Sequence, residues 1–562
     1  MSDFPWLTVL VAVPLVGSVV VAALPRAELA KLVALLVSVL TLGVGVAVAL
    51  QYELREGMQL TETHDWISAF GVHYALGVDG LSLLMVLLTV VLVPLVLAYS
   101  WTHADPGSGA SGSARSFFAW ALALEALSLA VFLATDVFLF YVVFEATLIP
   151  AYFLIGGFGK AGRGAAAVKF LMFQLGGGLV LLASVIGLYV VSAQAGEPSY
   201  LHSDLAALDM STAAERWIFA GFLIAFVVKA PLFPLHTWLA DTTEKATPGT
   251  SVLLVCVLDK IGTYGMLRFC LELFPGASQW ATPLVVTLAL ISIVYGALLA
   301  IGQDDLLRLV GLTSLSHFGF ITLGIFAFSS QGQSGAILYM VNHGLGTAAL
   351  FLTAGHVIER RGTSSIRRMG GMEKLAPVLA GLFLVAGLAT LSLPGLSPFV
   401  SELLVIIAAF DYHWWVGAVA VTGIVLAAIY VLSMYQRVMT GPGPLAGDHA
   451  AAGEHHDDPA HREPAGHGTA AGPGTGTATA TRPEAAVAPP AVPEARDLRP
   501  HEVAVLTPLV VGLVLFGFFP MPLFDVANPY VEDLMARVDV DDDAPAVPPG
   551  TTVEHAAEEG AH

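Results

Sequence analysis

Ten ionisable side chains stand inside apolar stretches of this sequence, where a charge is costly: Glu125, Glu145, Lys169, Lys229, Asp259, Lys260, His317, His343, His356 and Glu402. A charge at the centre of a bilayer costs about 2.5–3.5 kcal/mol on insertion scales, so such residues face the bundle interior and find partners. Acids, lysines and imidazoles all exchange protons. The set therefore favours a proton path through a membrane; the alternative is that these charges only pair and hold helices together.

Two lysines, Lys229 and Lys260, lie deep in apolar segments. In general, burial lowers the pKa of a lysine and a nearby carboxylate raises it, so a moving partner can load and unload the amine. An arginine stays protonated and cannot act in this way. The choice of lysine therefore indicates proton transfer.

Prolines interrupt two apolar stretches beside buried charges. Pro231 and Pro234 follow Lys229, and Pro394 precedes Glu402. Proline removes a backbone donor, and interrupted helices next to a charge are typical of transporters built from repeats. We predict two broken helices along the transport path; the alternative is an ordinary proline kink at each site.

The elements that must position these residues are membrane helices. The chain is 56% hydrophobic and 12% charged, with a mean hydropathy of +0.77. Apolar runs of about 20 residues recur, which is enough to cross a bilayer, and they are continuous rather than alternating as in barrel strands. The sequence predicts an all-α polytopic protein with fourteen spans near 5–24, 30–50, 81–101, 116–134, 137–156, 165–192, 216–238, 250–273, 282–301, 306–328, 335–358, 376–410, 414–438 and 503–521. The run 66–78 is too short and polar to span, and is expected to be a surface loop or strand.

The spacing of the charges suggests an internal repeat. Glu402 follows Lys229 by 173 residues, His317 follows Glu145 by 172, and His343 follows Lys169 by 174. Spans four to eight and nine to thirteen then form two inverted five-helix repeats. The predicted organisation begins with N-terminal helices and an external loop (1–115), followed by a first repeat (116–273) and a second repeat (282–438). An insert (441–500), a last membrane helix (501–525) and an acidic external tail (526–562) complete it.

The insert at 441–500 is rich in Ala, Gly, Pro, Thr and His, and is predicted to be disordered and cytoplasmic because it cannot bury enough apolar surface. The insert is either a solvated linker or a metal-binding segment, because it contains five histidines: His449, His455, His456, His461 and His467.

Other features exclude several classes of function. The net charge of −20 reflects acids in the insert and the tail, and does not indicate a nucleic-acid partner. The only cysteines, Cys256 and Cys270, form no CxxC pair, so an iron–sulfur cluster or disulfide scaffold is not expected. The glycine-rich GGFGKAGRG has Ala161 where a P-loop needs Ser or Thr. The start MSDFPW lacks a basic region, so no cleaved signal is predicted.

Basic residues predict the orientation, because cytoplasmic loops carry the excess of Lys and Arg. Loops after odd-numbered spans hold Arg26, Lys31, Arg115, Lys160, Arg163, Lys245, Arg308, Arg360, Arg361, Arg367, Arg368, Lys374 and Arg437, whereas loops after even-numbered spans hold Arg55, Arg216 and Arg268. Both termini are therefore expected outside the cell membrane of a bacterium.

Several stretches resemble the antiporter-like proton-pumping subunits of respiratory complex I. They are GVDGLSLLMVLLT, FYVVFEATLIPAYFLIGGFG, FVVKAPLFPLHTWLADTTEKATPGTSVLL, LDKIGTYGMLRF, SLSHFGF, NHGLGTAALFLTAGHV and LPGLSPFVSELL. Two of the three chains of this family, L and N, carry a lysine in the twelfth span. Glu402 at that place makes this sequence more similar to the third.

The resemblance implies a role for each site residue. Glu145 would pair with Lys229, Lys260 would be the central relay, His317 and His343 would pass protons between the halves, and Glu402 would be the terminal acceptor; Lys169 and His236 would tune the Lys229 pair. It also implies a subunit of NADH-quinone oxidoreductase, a translocase, with no cofactor or metal in this chain. FMN, iron–sulfur clusters and quinone would belong to partner subunits, and the neighbours would be chains L and N, small membrane chains and lipid.

Three rival functions stay open. The first is a subunit of an Mrp-type sodium–proton antiporter, and the second is the membrane arm of an energy-converting hydrogenase. The third is a scaffold that packs neighbouring chains without pumping.

Overall fold

The computed structural model describes residues 4–55, 57–102, 112–196, 198–441 and 496–538. These residues form a helical bundle with one small hairpin. The α-helices are α1 (Trp6–Ala23), α2 (Ala27–Gln51), α3 (Gly80–Tyr99), α4 (Ala114–Leu133), α5 (Val137–Ala146), α6 (Leu148–Gly157), α7 (Arg163–Ala195), α8 (His202–Ala206), α9 (Thr212–Lys229), α10 (Thr237–Lys245), α11 (Pro248–Val252), α12 (Lys260–Gly265), α13 (Pro275–Ile301), α14 (Leu306–Ile325), α15 (Ser330–Arg361), α16 (Met372–Leu375), α17 (Pro377–Thr390), α18 (Ser397–Tyr412), α19 (Trp414–Met439), α20 (Pro500–Phe518) and α21 (Met521–Arg537). Short 3₁₀ turns occur at Ser68–Phe70 and Ile366–Arg368, and π-helical turns at Leu253–Leu258 and Met266–Leu271.

Fourteen spans account for most of this bundle. Within the described residues, 12 helices are long and apolar enough to cross a membrane. Two further spans are broken: α9 and α10 are separated by residues 230–236, and α17 and α18 by residues 391–396. The predicted all-α polytopic fold with two broken helices is confirmed.

Both breaks contain prolines, which have no backbone N–H to donate a helical hydrogen bond. The first contains Pro231 and Pro234, and the second contains Pro394. Freed carbonyls find substitutes: the Trp238 indole donates to the carbonyl of Val228 at 3.2 Å. Both interruptions are therefore real separations of two half-helices rather than kinks.

The broken helix is the fourth span in each set of five. The first set runs from α4 to the π turn ending at Leu271, and the second from α13 to α19. Because five is odd, a second copy enters the membrane in the opposite sense from the first, which makes the repeats inverted.

The run 66–78 belongs to an antiparallel hairpin of β1 (Gln59–Ile67) and β2 (Val72–Val78). Glu62 in β1 accepts from the Leu7 backbone at 2.8 Å, and the Asp136 carboxylate accepts from the His73 backbone at 2.9 Å. The hairpin thus covers the ends of α1 and α5, as the expected surface strand.

The sequence prediction missed α21. Residues 526–537 were assigned to an acidic tail, and the last membrane helix was assigned to 501–525, but α20 ends at Phe518 and α21 begins at Met521. Acidic residues occupy one face of α21, while Leu523, Tyr530 and Leu534 are buried against the bundle, next to α3 and α15. Residues 539–562 of that assigned tail lie outside the described residues.

Among the residues counted as loop cations, Lys31 and Arg268 are buried inside helical segments. Lys31 is buried in α2 and pairs with Glu28 at 3.0 Å. Arg268 is buried in a π turn and pairs with Glu272 at 2.9 Å. Their removal from the loop count leaves the excess on the odd side, so the orientation stays a prediction. Residues 442–495 of the predicted insert at 441–500 lie outside the described residues.

Candidate proton-transfer site

Lys229 is the last residue of α9, at the edge of the first break, and is fully buried. Its Nζ donates to the Thr147 hydroxyl at 3.2 Å and lies 4.5 Å from the centre of the Phe144 ring. The helix C-terminus carries partial negative charge, which favours a cation there. The break thus creates a polar position for the lysine inside an apolar bundle.

Glu145 precedes Thr147, the partner of Lys229, by two residues, but its carboxylate is not within ion-pair distance of the Lys229 amine. Its Oε1 has no hydrogen-bond partner among the described residues, and the carboxylate occupies the space where Gly178 of α7 has no side chain. The predicted direct pairing is therefore absent in this conformation. The two groups interact electrostatically across a short gap.

Lys260 begins α12, between the two π-helical turns, and is fully buried. Single π turns inside α-helices are frequent at functional sites. Gly262, two residues further along, packs against the backbone of Phe226 and Ala230, where any β-carbon would clash. Glycine at this position brings the Lys260 segment against the end of α9.

Asp259 is buried between the two lysines. Neither of its carboxylate oxygens has a hydrogen-bond partner among the described residues, and the group interacts electrostatically with both Lys260 and Lys229. Among the described residues, Asp259 is therefore the carboxylate that interacts with both amines.

A polar chain leads from Lys260 into the second repeat. The Lys260 Nζ donates to His343 Nδ1 at 2.6 Å. The rings of His343 and His317 lie 5.2 Å apart between centroids, and His317 Nδ1 is 2.7 Å from the Tyr339 hydroxyl. The Tyr339 hydroxyl donates to Glu402 Oε2 at 2.9 Å. All five residues are buried.

Glu402 lies in the second turn of α18, just after the second break, and Ser392 of that break also donates to its Oε2. Ser392 has φ of +59°. A residue other than glycine in this region costs of order 1–3 kcal/mol and persists where the surroundings hold it, often at functional sites. The second break thus aims a hydroxyl at the carboxylate.

Tyr339 has a single proton for two neighbours. When it donates to Glu402, His317 Nδ1 must donate to the tyrosine oxygen. When Glu402 is protonated and donates, the tyrosine hydroxyl donates to His317 instead. The same three atoms therefore support two hydrogen-bond patterns, which differ by one proton moved between imidazole and carboxylate.

The gap in this chain lies between the two imidazoles. The Nε2 atoms of His317 and His343 are buried without a hydrogen-bond partner among the described residues. Both rings, with Asn342 and Thr390, line a cavity of about 10 Å³. This volume is at the lower limit of what one water molecule needs.

Two predicted tuning residues lie elsewhere. Lys169 pairs with Asp241 of α10 at 2.6 Å, and Asp241 also pairs with Arg308 of α14 at 2.6 Å. These half-exposed pairs connect the two repeats. His236, in the first break, contacts the rings of Phe233 and Tyr295 rather than Lys229.

A second buried charge cluster lies at the C-terminal end of the helical segment that carries Lys260. Arg268 contacts Asp79 and Glu272, and Tyr530 of α21 donates to Glu272 at 2.8 Å. His202 of α8, outside the membrane spans, lies 3.4 Å from Glu272. Burial lowers the pKa of His202, while the Glu272 carboxylate opposes this shift. The cluster fixes one end of that helix with opposite charges.

Sequence reasoning missed the roles open to Tyr339, Ser392 and Thr147, and it counted Asp259 among the buried charges without assigning it a role. Tyr339 precedes His343 by four residues, which places both on one face of α15, and Asp259 stands next to Lys260. These spacings are visible in the sequence, but which helix each side chain faces is not. Glu125 is buried in α4, and neither carboxylate oxygen has a hydrogen-bond partner among the residues described.

We expect Tyr339→Phe to reduce proton translocation several-fold while the protein still assembles. The substitution removes the hydroxyl that contacts both His317 and Glu402, whereas one lost hydrogen bond costs about 1 kcal/mol of stability. The measurement is proton uptake by inverted membrane vesicles, normalised to assembled protein.

Tyr264→Phe is the matched control, because Tyr264 is equally buried and donates to the Phe132 carbonyl at 3.1 Å, away from the polar chain. Equal losses in the two variants would mean that any buried hydroxyl matters, and that Tyr339 has no special part.

Comparison with known proteins agrees with this architecture. Residues 134–427 match the family described as NADH:quinone oxidoreductase/Mrp antiporter, transmembrane. The chain is 45% identical to NADH-quinone oxidoreductase subunit M of Mycobacterium tuberculosis, over 97% of both chains. It is 32% identical to the subunit of that name from Rhodobacter capsulatus, over 95% of this chain and 97% of the relative.

Solved structures share the fold. A chain of respiratory complex I from Thermus thermophilus is 30% identical, with a TM-score of 0.79 over 95% of this chain and 100% of that chain. A chain of the Mrp complex from Dietzia is 23% identical, with a TM-score of 0.78 over 96% and 100%. The second likeness shows the fold alone.

The chain therefore belongs to the NADH:quinone oxidoreductase/Mrp antiporter family of membrane proteins, which confirms the resemblance to antiporter-like subunits. Within that family, it is similar over nearly its whole length to chains named NADH-quinone oxidoreductase subunit M.

Proposed function

We propose that this chain is a proton-translocating membrane subunit of NADH:quinone oxidoreductase, of the subunit M type. The observation that carries the proposal is the buried polar chain from Lys260 to Glu402, since it joins exchangeable groups of both repeats inside the membrane spans. Relatives named subunit M, similar over 95% or more of this chain, support the assignment to that complex.

The mechanism that we propose uses the two hydrogen-bond patterns of Tyr339. A proton leaves Lys260 for His343 and crosses to His317 through one water in the small cavity. It then moves through the Tyr339 hydroxyl to Glu402. Ser392 supports the charged form of Glu402 by donating to its carboxylate, so the second break is the place where the proton is held before release.

Lys229 supplies the first repeat's part of this path. Its amine has a neutral hydroxyl partner, Thr147, while Glu145 stands nearby without a hydrogen bond on its Oε1. Movement of Glu145 towards Lys229 would favour the protonated amine, and movement away would favour release. A change of charge on Lys229 would affect Lys260 through Asp259, because this carboxylate interacts electrostatically with both lysines.

The partners follow from the complex that we propose. Chains L and N and small membrane chains would be the neighbours, and FMN, iron–sulfur clusters and quinone would belong to other subunits. Large apolar side chains are exposed along α1, α2 and α7, as expected for surfaces that meet lipid or membrane subunits. We place the protein in the bacterial plasma membrane, with both termini outside.

The rival functions have weaker support. The Mrp complex is similar in fold but at 23% identity, and a membrane-bound sulfane sulfur reductase chain likewise at 20% with a TM-score of 0.75. A scaffold without transport needs no chain of buried, proton-exchanging groups through its core. A sodium–proton antiporter subunit would support exchange without an NADH-oxidising partner.

Affinity purification of this chain from its native membrane, followed by mass spectrometry, tests the assignment to the complex. We expect subunits that carry flavin and iron–sulfur clusters to copurify, together with NADH:quinone activity. Copurification with antiporter chains alone, without flavin or iron–sulfur proteins, would contradict the proposal and favour the Mrp-type alternative.

We expect Lys229→Met to lower redox-driven proton translocation by at least about tenfold, in the range typical for loss of a proton-transfer group. Methionine fills the apolar space but carries no proton. Lys229→Arg should not restore transport, because arginine keeps its proton. The measurement is NADH-driven proton uptake by inverted vesicles.

Lys169→Met is the matched control, because Lys169 is a half-exposed lysine held in an ion pair with Asp241. It should retain most of the transport. Full transport by assembled Lys229→Met would show that the first repeat moves protons by another group.

A further inference from the structure

Outside the polar chain, the end of α15 and the start of α20 bring one imidazole together with two carboxylates. His356 and Glu359 lie one turn apart near the end of α15, and Glu502 lies in the first turn of α20. Their ligand atoms all fall within 4.8 Å of one another. Among the described residues, this is the group of three whose donors converge in this way.

His356 is almost fully buried, at 2% exposure, and neither ring nitrogen has a hydrogen-bond partner in the described part of the chain. Its Nδ1 lies 3.6 Å from Glu359 Oε2 and 3.7 Å from Glu502 Oε1. Tyr99 packs against the ring at 4.9 Å between centroids, which limits its rotation. A buried polar atom without a partner has a cost, so the geometry points to a missing group between the three side chains.

Glu502 is oriented as a metal ligand would be. Its Oε2 accepts from the Arg360 guanidinium at 2.6 Å and from the Arg499 backbone at 2.7 Å, while its Oε1 faces His356. Outer partners of this kind fix a ligating carboxylate in place. Two carboxylates and one guanidinium leave a net negative charge beside the imidazole, which favours a cation.

We propose that His356, Glu359 and Glu502 bind a zinc ion. Zinc bonds to histidine nitrogen and carboxylate oxygen at about 2.0–2.2 Å, which places tetrahedral ligands about 3.4 Å apart. The observed separations need only small carboxylate movements to reach this value. A nitrogen ligand favours zinc over calcium or magnesium, which prefer oxygen alone.

The fourth position faces a cavity. His356 and Glu502 line a cavity of about 650 Å³ with Leu35, Pro94 and Val505 among its other walls. A water molecule from this cavity completes the coordination. Because the ion joins α15 to α20, it fixes the helix that carries Tyr339 and His343.

Zinc content of the purified complex tests the site. The assembled complex is equilibrated with zinc sulfate, separated from free metal, and analysed by mass spectrometry for zinc per complex. We expect His356→Gln to hold one zinc fewer than the wild-type complex. Zinc bound by other histidines, including His449 and His455, contributes equally to both.

His413→Gln is the matched control, because His413 is exposed in the connection between α18 and α19. It should keep the wild-type zinc content. If His356→Gln does not assemble, the half-exposed Glu359→Gln takes its place, with an expected loss of at least about tenfold in zinc affinity against a competing chelator. Zinc content and affinity equal to the wild type in the assembled variant would overturn the proposal.

Discussion

Replacing Glu402 with glutamine is expected to reduce NADH-driven proton translocation by at least about tenfold, as for loss of a general acid–base group. Glutamine keeps the size of the side chain, and its carbonyl oxygen still accepts from Tyr339 and Ser392. It cannot take up a proton, so only one of the two hydrogen-bond patterns of Tyr339 remains. The measurement is proton uptake by inverted vesicles, normalised to the assembled complex.

Two further variants make this result specific. Glu244→Gln alters a carboxylate that pairs with Arg308 at 2.9 Å near the protein surface, and should leave most of the transport. Glu402→Lys restores an exchangeable group and should keep part of it. Wild-type rates for Glu402→Gln would mean that Glu402 is structural and that protons leave by another route.

The second large effect is expected at Lys260. Lys260→Met should abolish most of the translocation, because it removes the amine that contacts His343 and interacts electrostatically with Asp259. Lys260→Arg should fail as well, since its guanidinium keeps its proton and is too large for a 2.6 Å contact at the same position. Quinone reduction by NADH should slow in parallel if transport and electron transfer are tightly coupled.

The control for Lys260 is Lys374→Met, which removes an exposed lysine in α16. It should behave as the wild type. Retention of full proton translocation by assembled Lys260→Arg would show that release of a proton at this position is not required.

Much of the fold could be predicted because a membrane helix is recognisable in a sequence from the length and composition of its apolar run. Spans such as α4 and α14 begin and end within a few residues of their predicted limits. Pro231 and Pro394 indicated the two breaks, since the loss of a backbone donor is a local effect. The amphipathic α21 was hidden because its acids suggested a solvated tail.

The site could be predicted in its members but not in its contacts. Buried Lys260, His317, His343 and Glu402 stand out because charges are rare in apolar runs. Tyr339 does not, because a tyrosine in a membrane helix is unremarkable until its hydroxyl is seen between two partners. The separation of Glu145 from Lys229, and the pairing of Lys169 with Asp241, depend on helix rotation, which the sequence does not specify.

The central claim is that Lys260 and Glu402 act in series on one proton path. The most direct test is the rate of NADH-driven proton translocation per assembled complex in four proteins: wild type, Lys260→Met, Glu402→Gln and the double variant. Residues that act as a unit give strongly non-additive losses. We predict that the double variant loses no more than the more severe single variant. A double loss equal to the product of the two single effects would contradict the account, because it would place the two residues on independent routes.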